Sequence, residues 1–282
     1  VKLLNIGCGS LFHPEWINID LVSNSPHVRA YDIRKGLPYH DNTFDACYSS
    51  HIIEHLDQTE ARKLVTECFR VIRPGGIIRV VVPDLEAIAK NYLNTLERLD
   101  SGEVDADADY DWMMIELYDQ VVRNQGGGMM SRYLRDPNCK NKDFIFKRIG
   151  LQTEPFWSDA VPAKRSLLTK IRSKTPLWFL EMFRVILAKS LIILILGKKG
   201  KCSFEEGLFR NSGEVHRWMY DRFSMARLLR NSGFGDIQNC RADESRIEKF
   251  NNYNLDTIGK EVCKPNSLFM EGIKPVGMKT LS

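Results

Sequence analysis

The chain has 282 residues, 43% of them hydrophobic and 27% charged, with a net charge of +4. That suits one large soluble domain, or one domain carrying a sizeable insertion, and the charge is too small to indicate a nucleic-acid partner. Seven scattered cysteines without a CxxC pair argue against a disulfide framework or a zinc ribbon and fit a reducing cytoplasm.

The opening VKLLNIGCGS reads as a strand and a glycine turn, not as a signal peptide. Residues 2–6 form the expected first strand, ending at Gly7-Cys8-Gly9. Residues 16–20 and 28–32 form two more, each closing on an acid, Asp20 and Asp32. Residues 44–49 read as a fourth strand. A helix follows, with Leu56, Leu64, Cys68, Val71 and Ile72 on its apolar face, and stops at Pro74-Gly75-Gly76. Residues 77–82 read as a fifth, β-branched strand before Pro83-Asp84. Apolar strands alternating with helices predict a parallel α/β sheet.

Residues 85–212 differ in character. Positions 97–119 hold nine acids against one base, Arg98, whereas positions 160–201 hold ten bases against one acid, Glu181. The block is mostly helical in pattern and too long for a loop. It reads as an insertion over the sheet, a substrate cap. Residues 213–282 return to α/β, with a helix at 220–231 and strands at 235–240 and 267–273. The expected organisation is therefore a core of 1–84 and 213–282 around a helical insertion at 85–212.

Ligands of an open parallel sheet bind outside the carboxyl ends of its strands. Here those ends carry Gly7 and Gly9, Asp20, Asp32, the stretch from Ser49 to His55 and Asp84. Glycines after the first strand allow close approach to backbone. A carboxylate after the second strand can hold a ribose diol, and one after the third can accept from an exocyclic amine. That set describes an adenosine site. The phosphate-cradling GxGxxG and the Walker lysine are absent.

The segments LNIGCGS, INID, DIRKGLPYHDNTFDACYSSHIIEHL, ECFRVIRPGGIIRVVVPD and HRWMYDRFSMARLLRNSGFGDI resemble the class I S-adenosylmethionine-dependent methyltransferases, of the type 11 group. The resemblance spans roughly residues 1–84 and 213–275. It implies a Rossmann-like, mostly parallel sheet of seven strands with the last antiparallel, and S-adenosylmethionine as cofactor. It implies that Gly7, Cys8 and Gly9 lie against the methionine part. Asp20 would hold the ribose, Asp32 and the backbone of Ile33 the adenine edge, and Ser49 and Ser50 would border the cofactor. Some bacterial members with this look are associated with polysaccharide or cell-surface biosynthesis. Two departures stand out: Asn5 replaces the usual acid, and only residues 10–19 separate Gly9 from Asp20, too few for a full crossover helix.

Residues 51–55 spell HIIEH, the H-x-x-E-H pattern of inverzincin peptidases. That chemistry needs the motif within a helix. Here it follows directly on a strand, with Ser49 or Ser50 as expected helix N-cap, so no metal is expected. His51 instead borders the cofactor or the acceptor.

Methyl transfer to a hydroxyl benefits from a general base. The candidates are His51, His216 and Asp84. Gln120 and Arg123, beside the flexible Gly126-Gly127-Gly128, are candidate contacts for a polar acceptor. Residues 177–196 have spanning length, but Glu181, Arg184 and Lys189 interrupt them, so an interfacial helix competes with burial in the insertion or a dimer interface.

The resulting expectation is a cytoplasmic methyltransferase, peripheral to the membrane if residues 177–196 form an interfacial helix, that O-methylates a small molecule or saccharide, including a lipid-linked one. No nucleic-acid partner is expected. Two alternatives stay open. The basic block prompts an RNA methyltransferase; Asn5 and the short first crossover prompt a cofactor-binding scaffold without catalysis.

Overall fold

The computed structural model describes residues 1–23, 25–158 and 176–277. Five strands come from the first part of the chain: β1 (Leu3–Ile6), β2 (Ile17–Asp20), β3 (Val28–Ala30), β4 (Phe44–Ser50) and β5 (Ile72–Pro83). Four come from the last: β6 (Gly235–Cys240), β7 (Thr257–Ile258), β8 (Glu261–Val262) and β9 (Ser267–Ile273). Seven of them form one sheet in the order β3-β2-β1-β4-β5-β9-β6, while β7 and β8 make a separate ribbon. Strands β1 to β5 are parallel, and β9 runs antiparallel between β5 and β6. This is the Rossmann-like arrangement expected from the sequence. Strand order reverses between β1 and β4, which places a ligand crevice at their carboxyl ends.

Strand residues alternate between two faces. Leu4, Ile6, Cys47, Val80 and Met270 pack on helices α1 (Gln58–Val71) and, near the end of the chain, Arg222–Asn231. Asp57 caps α1 by accepting from the N–H groups of Thr59 and Glu60, and Glu60 returns the bond as a capping box. Ala61, Leu64, Val65, Cys68 and Val71 form its buried stripe.

Two expectations at this point are corrected. The N-cap is Asp57, not Ser49 or Ser50, because β4 runs through Ser50 before the chain turns at His51. The helix ends at Val71, and β5 already begins at Ile72, with a bulge carrying residues 73–76.

The opposite face has no helix between β1 and β2. Trp16, Ile247, Phe250 and Leu255 cover Leu3, Ala46, Tyr48 and Phe269 there. Buried polar groups tie this cover down. Arg79, fully buried, donates to Asp256 Oδ2 and Glu271 Oε1, both at 2.8 Å, and to the carbonyls of Arg241, Ala242 and Glu244. The Tyr48 hydroxyl donates to Asp256 Oδ1 at 2.6 Å.

Between β5 and β6 the described chain is helical: α2 (Leu85–Asp100), α3 (Ala106–Val122), α4 (Gly128–Leu134), α5 (Lys142–Ile149), α6 (Glu154–Trp157) and α7 (Pro176–Arg210), then α8, the Arg222–Asn231 helix. Helices α2 to α5 share a core of Ile88, Trp112, Met113, Leu134, Ile145 and Ile149. Helix α7 breaks at Gly197, where φ is 65°. No helix among the described residues is long and apolar enough to cross a membrane.

Candidate active site

The turn after β1 is fastened to the end of β2. Gly7 N–H donates to the Ile19 carbonyl at 2.8 Å, and Gly9 N–H donates to Asp20 Oδ2 at 2.8 Å. Both glycines have positive φ, 67° and 54°. A Cβ on Gly7 would stand 2.2 Å from Ile52 Cδ1, so no larger residue fits there. Above Gly9 there is open space to 4 Å. A side chain thus has room at Gly9 and meets Ile52 at Gly7, whose backbone stays on the cavity wall.

Two cavities meet at this turn, of about 570 Å³ and 310 Å³, and share Gly7, Asp20 and Ile52 as walls. Cys8, Gly9, Ser50, His51, Gln152 and Lys264 line the first. Tyr31, Asp32, Ile33, His55, Glu60 and Arg217 line the second. Asp20 Oδ1 also accepts from Val22 N–H at 3.1 Å, so each carboxylate oxygen is oriented by one backbone donor and keeps acceptor capacity.

Of the residues expected to hold a cofactor, Gly7, Cys8, Gly9 and Ser50 stand on the first cavity and Asp32 and Ile33 on the second, with Asp20 between. Asp32 is not a free acceptor. Arg34 grips both its oxygens at 2.9 Å, and this hydrogen bonding holds its carboxyl below the ordinary range. Ser49 is buried, its Oγ without a hydrogen-bond partner, and lines neither cavity. Burial, then the neighbouring Asp20, pushes the Cys8 thiol up to about 11, so it stays protonated and non-nucleophilic.

The candidate bases separate. His51 is on the first cavity in a left-handed conformation, φ 56°, with Nε2 2.8 Å from Ser267 Oγ. Burial holds its ring well below the ordinary histidine range, hence neutral. His216 is 2% exposed and lines neither cavity. Burial, followed by His55, Arg123 and Lys264, holds it down to about 3. Asp84 caps α2, accepting from the N–H groups of Glu86 and Ala87, and faces a different cavity beside Ser267 and Phe269. Gln120 and Arg123 are also off both walls. The Gln120 carbonyl accepts from His216 N–H at 2.9 Å, and Arg123 pairs with Asp119 at 3.1 Å. This stretch braces the His216 segment.

The HIIEH residues gather with His216. Glu54 is 0% exposed and neither carboxylate oxygen has a hydrogen-bond partner. His51 Nδ1 approaches Oε1 at 3.3 Å without hydrogen-bond alignment. Such a buried, unsatisfied group ordinarily costs roughly 1–3 kcal/mol, more if charged. Burial pushes its carboxyl up to about 8. The His55 and His216 rings meet edge-on, centroids 4.8 Å apart. Sequence reasoning kept these residues apart because His216 lies 161 positions after His55. The cavity residues Lys264 and Gln152 carried no motif at all; only the fold brings them in.

Residues 4–80 match the family model described as a methyltransferase domain. A "Probable S-adenosylmethionine-dependent methyltransferase" of Mycolicibacterium smegmatis is 45% identical over 67 residues, covering 21% of this chain and 25% of that protein. The chain thus matches about a quarter of that relative's length. Solved structures similar over nearly the whole chain include the YcgJ protein from Bacillus subtilis (12% identity, 98% of this chain and 92% of that one, TM-score 0.38). Another is a SAM-dependent methyltransferase from Archaeoglobus fulgidus (12% identity, 97% and 86%, TM-score 0.36).

The matched segment is similar to a methyltransferase domain, and S-adenosylmethionine is the cofactor that this similarity implies. Its residues fit that cofactor. The backbone is open at Gly9, Asp20 keeps acceptor capacity at the junction, and Leu21, Ile33 and Leu56 give the second cavity an apolar lining.

Proposed function

We propose that this chain is an S-adenosylmethionine-dependent methyltransferase that O-methylates a small molecule or a saccharide. One observation carries the reading: two cavities joined at Gly7 and Asp20, at the switch point of the sheet, within the segment that matches a methyltransferase domain. When bound, S-adenosylmethionine supplies an electrophilic methyl group on a sulfonium.

The chain's own residues do the rest. Asp20 accepts from the ribose hydroxyls, and Ile33 packs on the base. Asp32, held by Arg34, keeps the adenine edge in place. Gly9 and Ser50 border the amino-acid end. The acceptor enters the first cavity, where Gln152, Glu154 and Lys264 supply hydrogen-bonding and charged groups. His51, on the first cavity and positioned by Ser267, takes the hydroxyl proton. His216 touches neither ligand in this reading.

The test is a methyl-transfer screen with labelled cofactor against nucleotide sugars, glycans and glycolipids. Labelled product with a hydroxyl acceptor supports the reading. Product only with RNA would replace it, and cofactor binding without any transfer would favour a scaffold.

Helix α7 supports a peripheral membrane location. Among its described residues Phe183, Ile186, Leu194, Ile195 and Leu196 expose 55–82% of their surface, and Lys198, Lys199 and Lys201 follow. A single interfacial helix with basic neighbours suits an anionic leaflet, where a lipid-linked acceptor would lie.

A further inference from the structure

We propose that Glu54, His55 and His216 form a binding site for one divalent cation. One ligand atom from each, a carboxylate oxygen and two ring nitrogens, lie within 4.8 Å of one another. Tetrahedral ligands on bonds of about 2.1 Å stand about 3.4 Å apart, so a side-chain closure on the order of 1 Å completes the set.

Three independent features point to a ligand here. The Glu54 carboxylate is fully buried, yet neither of its oxygens has a hydrogen-bond partner. The His55 Nδ1 lies 3.2 Å from the Val215 carbonyl, which selects the Nδ1–H tautomer and leaves the Nε2 lone pair free. A backbone carbonyl oriented this way is the usual support behind a metal-bound imidazole. His216 makes no side-chain hydrogen bond among the described residues, yet its backbone is fixed. Its N–H donates to Gln120, and the N–H groups of Arg217 and Trp218 donate to the Glu54 carbonyl at 2.7 and 3.2 Å. The segment that carries the third ligand is thus clipped to the residue that carries the first.

Two imidazoles and one carboxylate suit a first-row transition ion such as Zn²⁺, Mn²⁺ or Co²⁺ better than Mg²⁺ or Ca²⁺. Three protein ligands leave coordination positions for an outside oxygen. Of the three ligands, His55 lines the second cavity, and His51, whose Nδ1 stands 3.3 Å from Glu54 Oε1, lines the first. A cation held there neutralises the buried Glu54 carboxylate and ties the segment carrying His216 to the turn after β4.

The experiment uses the full chain, stripped with chelator and titrated by calorimetry with Zn²⁺, Mn²⁺ and Mg²⁺. The wild type and His40→Ala, an exposed histidine outside the cluster, are expected to bind one transition ion per chain. Glu54→Gln, His55→Ala and His216→Ala are expected to bind at least about tenfold more weakly, with circular dichroism and thermal unfolding as the measure of fold. Should a variant misfold, pulsed EPR of the Cu²⁺-loaded wild type counts bound imidazoles, with two expected. No ion in the wild type, unchanged affinity in the variants, or fewer than two imidazoles would overturn the site. Ion binding without S-adenosylhomocysteine binding would leave the site standing and overturn the cofactor reading; the reverse would overturn the site alone.

Discussion

The side-chain amide of Asn5 donates to Asn18 Oδ1 at 3.2 Å, across the buried pair of strands β1 and β2. Asn5 also donates to the Leu11 carbonyl, and Asn18 donates to the carbonyls of His13, Trp16 and His27. The two departures from the family pattern, Asn5 and the short first crossover, are therefore one device. A helix would satisfy its own carbonyls; this loop relies on two amides instead.

Asn18→Ala removes the donor to three carbonyls and is expected to destabilise the chain by about 2–4 kcal/mol, at roughly 1 kcal/mol or more for each buried group left unpaired. Urea unfolding measures it. A loss below about 0.5 kcal/mol would mean that water replaces the amide.

Arg79→Met would leave Asp256 and Glu271 buried without their cation. Breaking such a triad from one side costs about 3–5 kcal/mol. Thermal unfolding of the variant should show a large drop in Tm; an unchanged Tm would show that the network carries no stability.

One carboxylate of the same network, Glu271, sets an acid limit, whereas burial raises the other, Asp256. Burial alone would raise the Glu271 carboxyl, but the Ser245 hydroxyl, the Arg246 N–H and Arg79 outweigh it and hold it below its ordinary 4.5. Its contribution is therefore fully present above about pH 4.5 and lost as pH falls through the lower folded value. Glu271→Gln should flatten the stability curve below pH 4.5. An unaltered acid limb would refute this assignment.

Much of this was legible in sequence because strand ends announce themselves. Gly7, Gly9, Asp20 and Asp32 follow apolar runs directly, and the period of two fixes which side chains face the helices. Pairings across long separations gave no such signal. Arg79 reads as a lone charge in a strand until Asp256 and Glu271 close on it. Asp84 read as a strand-end acid, but its place is decided by the α2 N–H groups it caps. HIIEH read as a helical motif out of place, and only the fold supplies His216.

His51→Ala is expected to lower kcat for an O-methylated acceptor by about 10²-fold or more, with S-adenosylhomocysteine affinity unchanged. Equal kcat in both proteins would remove His51 as the base.

Helix α7 should sediment the chain with anionic vesicles at low salt and release it at high salt. Replacing Leu194 and Ile195 by Ser, both largely exposed, should weaken sedimentation without altering Tm. No sedimentation at low salt would remove the membrane reading.

Calorimetric titration with S-adenosylhomocysteine tests the central claim most directly. The wild type should bind one molecule per chain. Asp20→Ala, which deletes the acceptor between the two cavities, should bind at least about tenfold more weakly while circular dichroism stays unchanged, since a lost hydrogen bond to a charged group is worth about 1.5–3 kcal/mol. No binding by the folded wild type, or equal affinity in Asp20→Ala, would contradict the account.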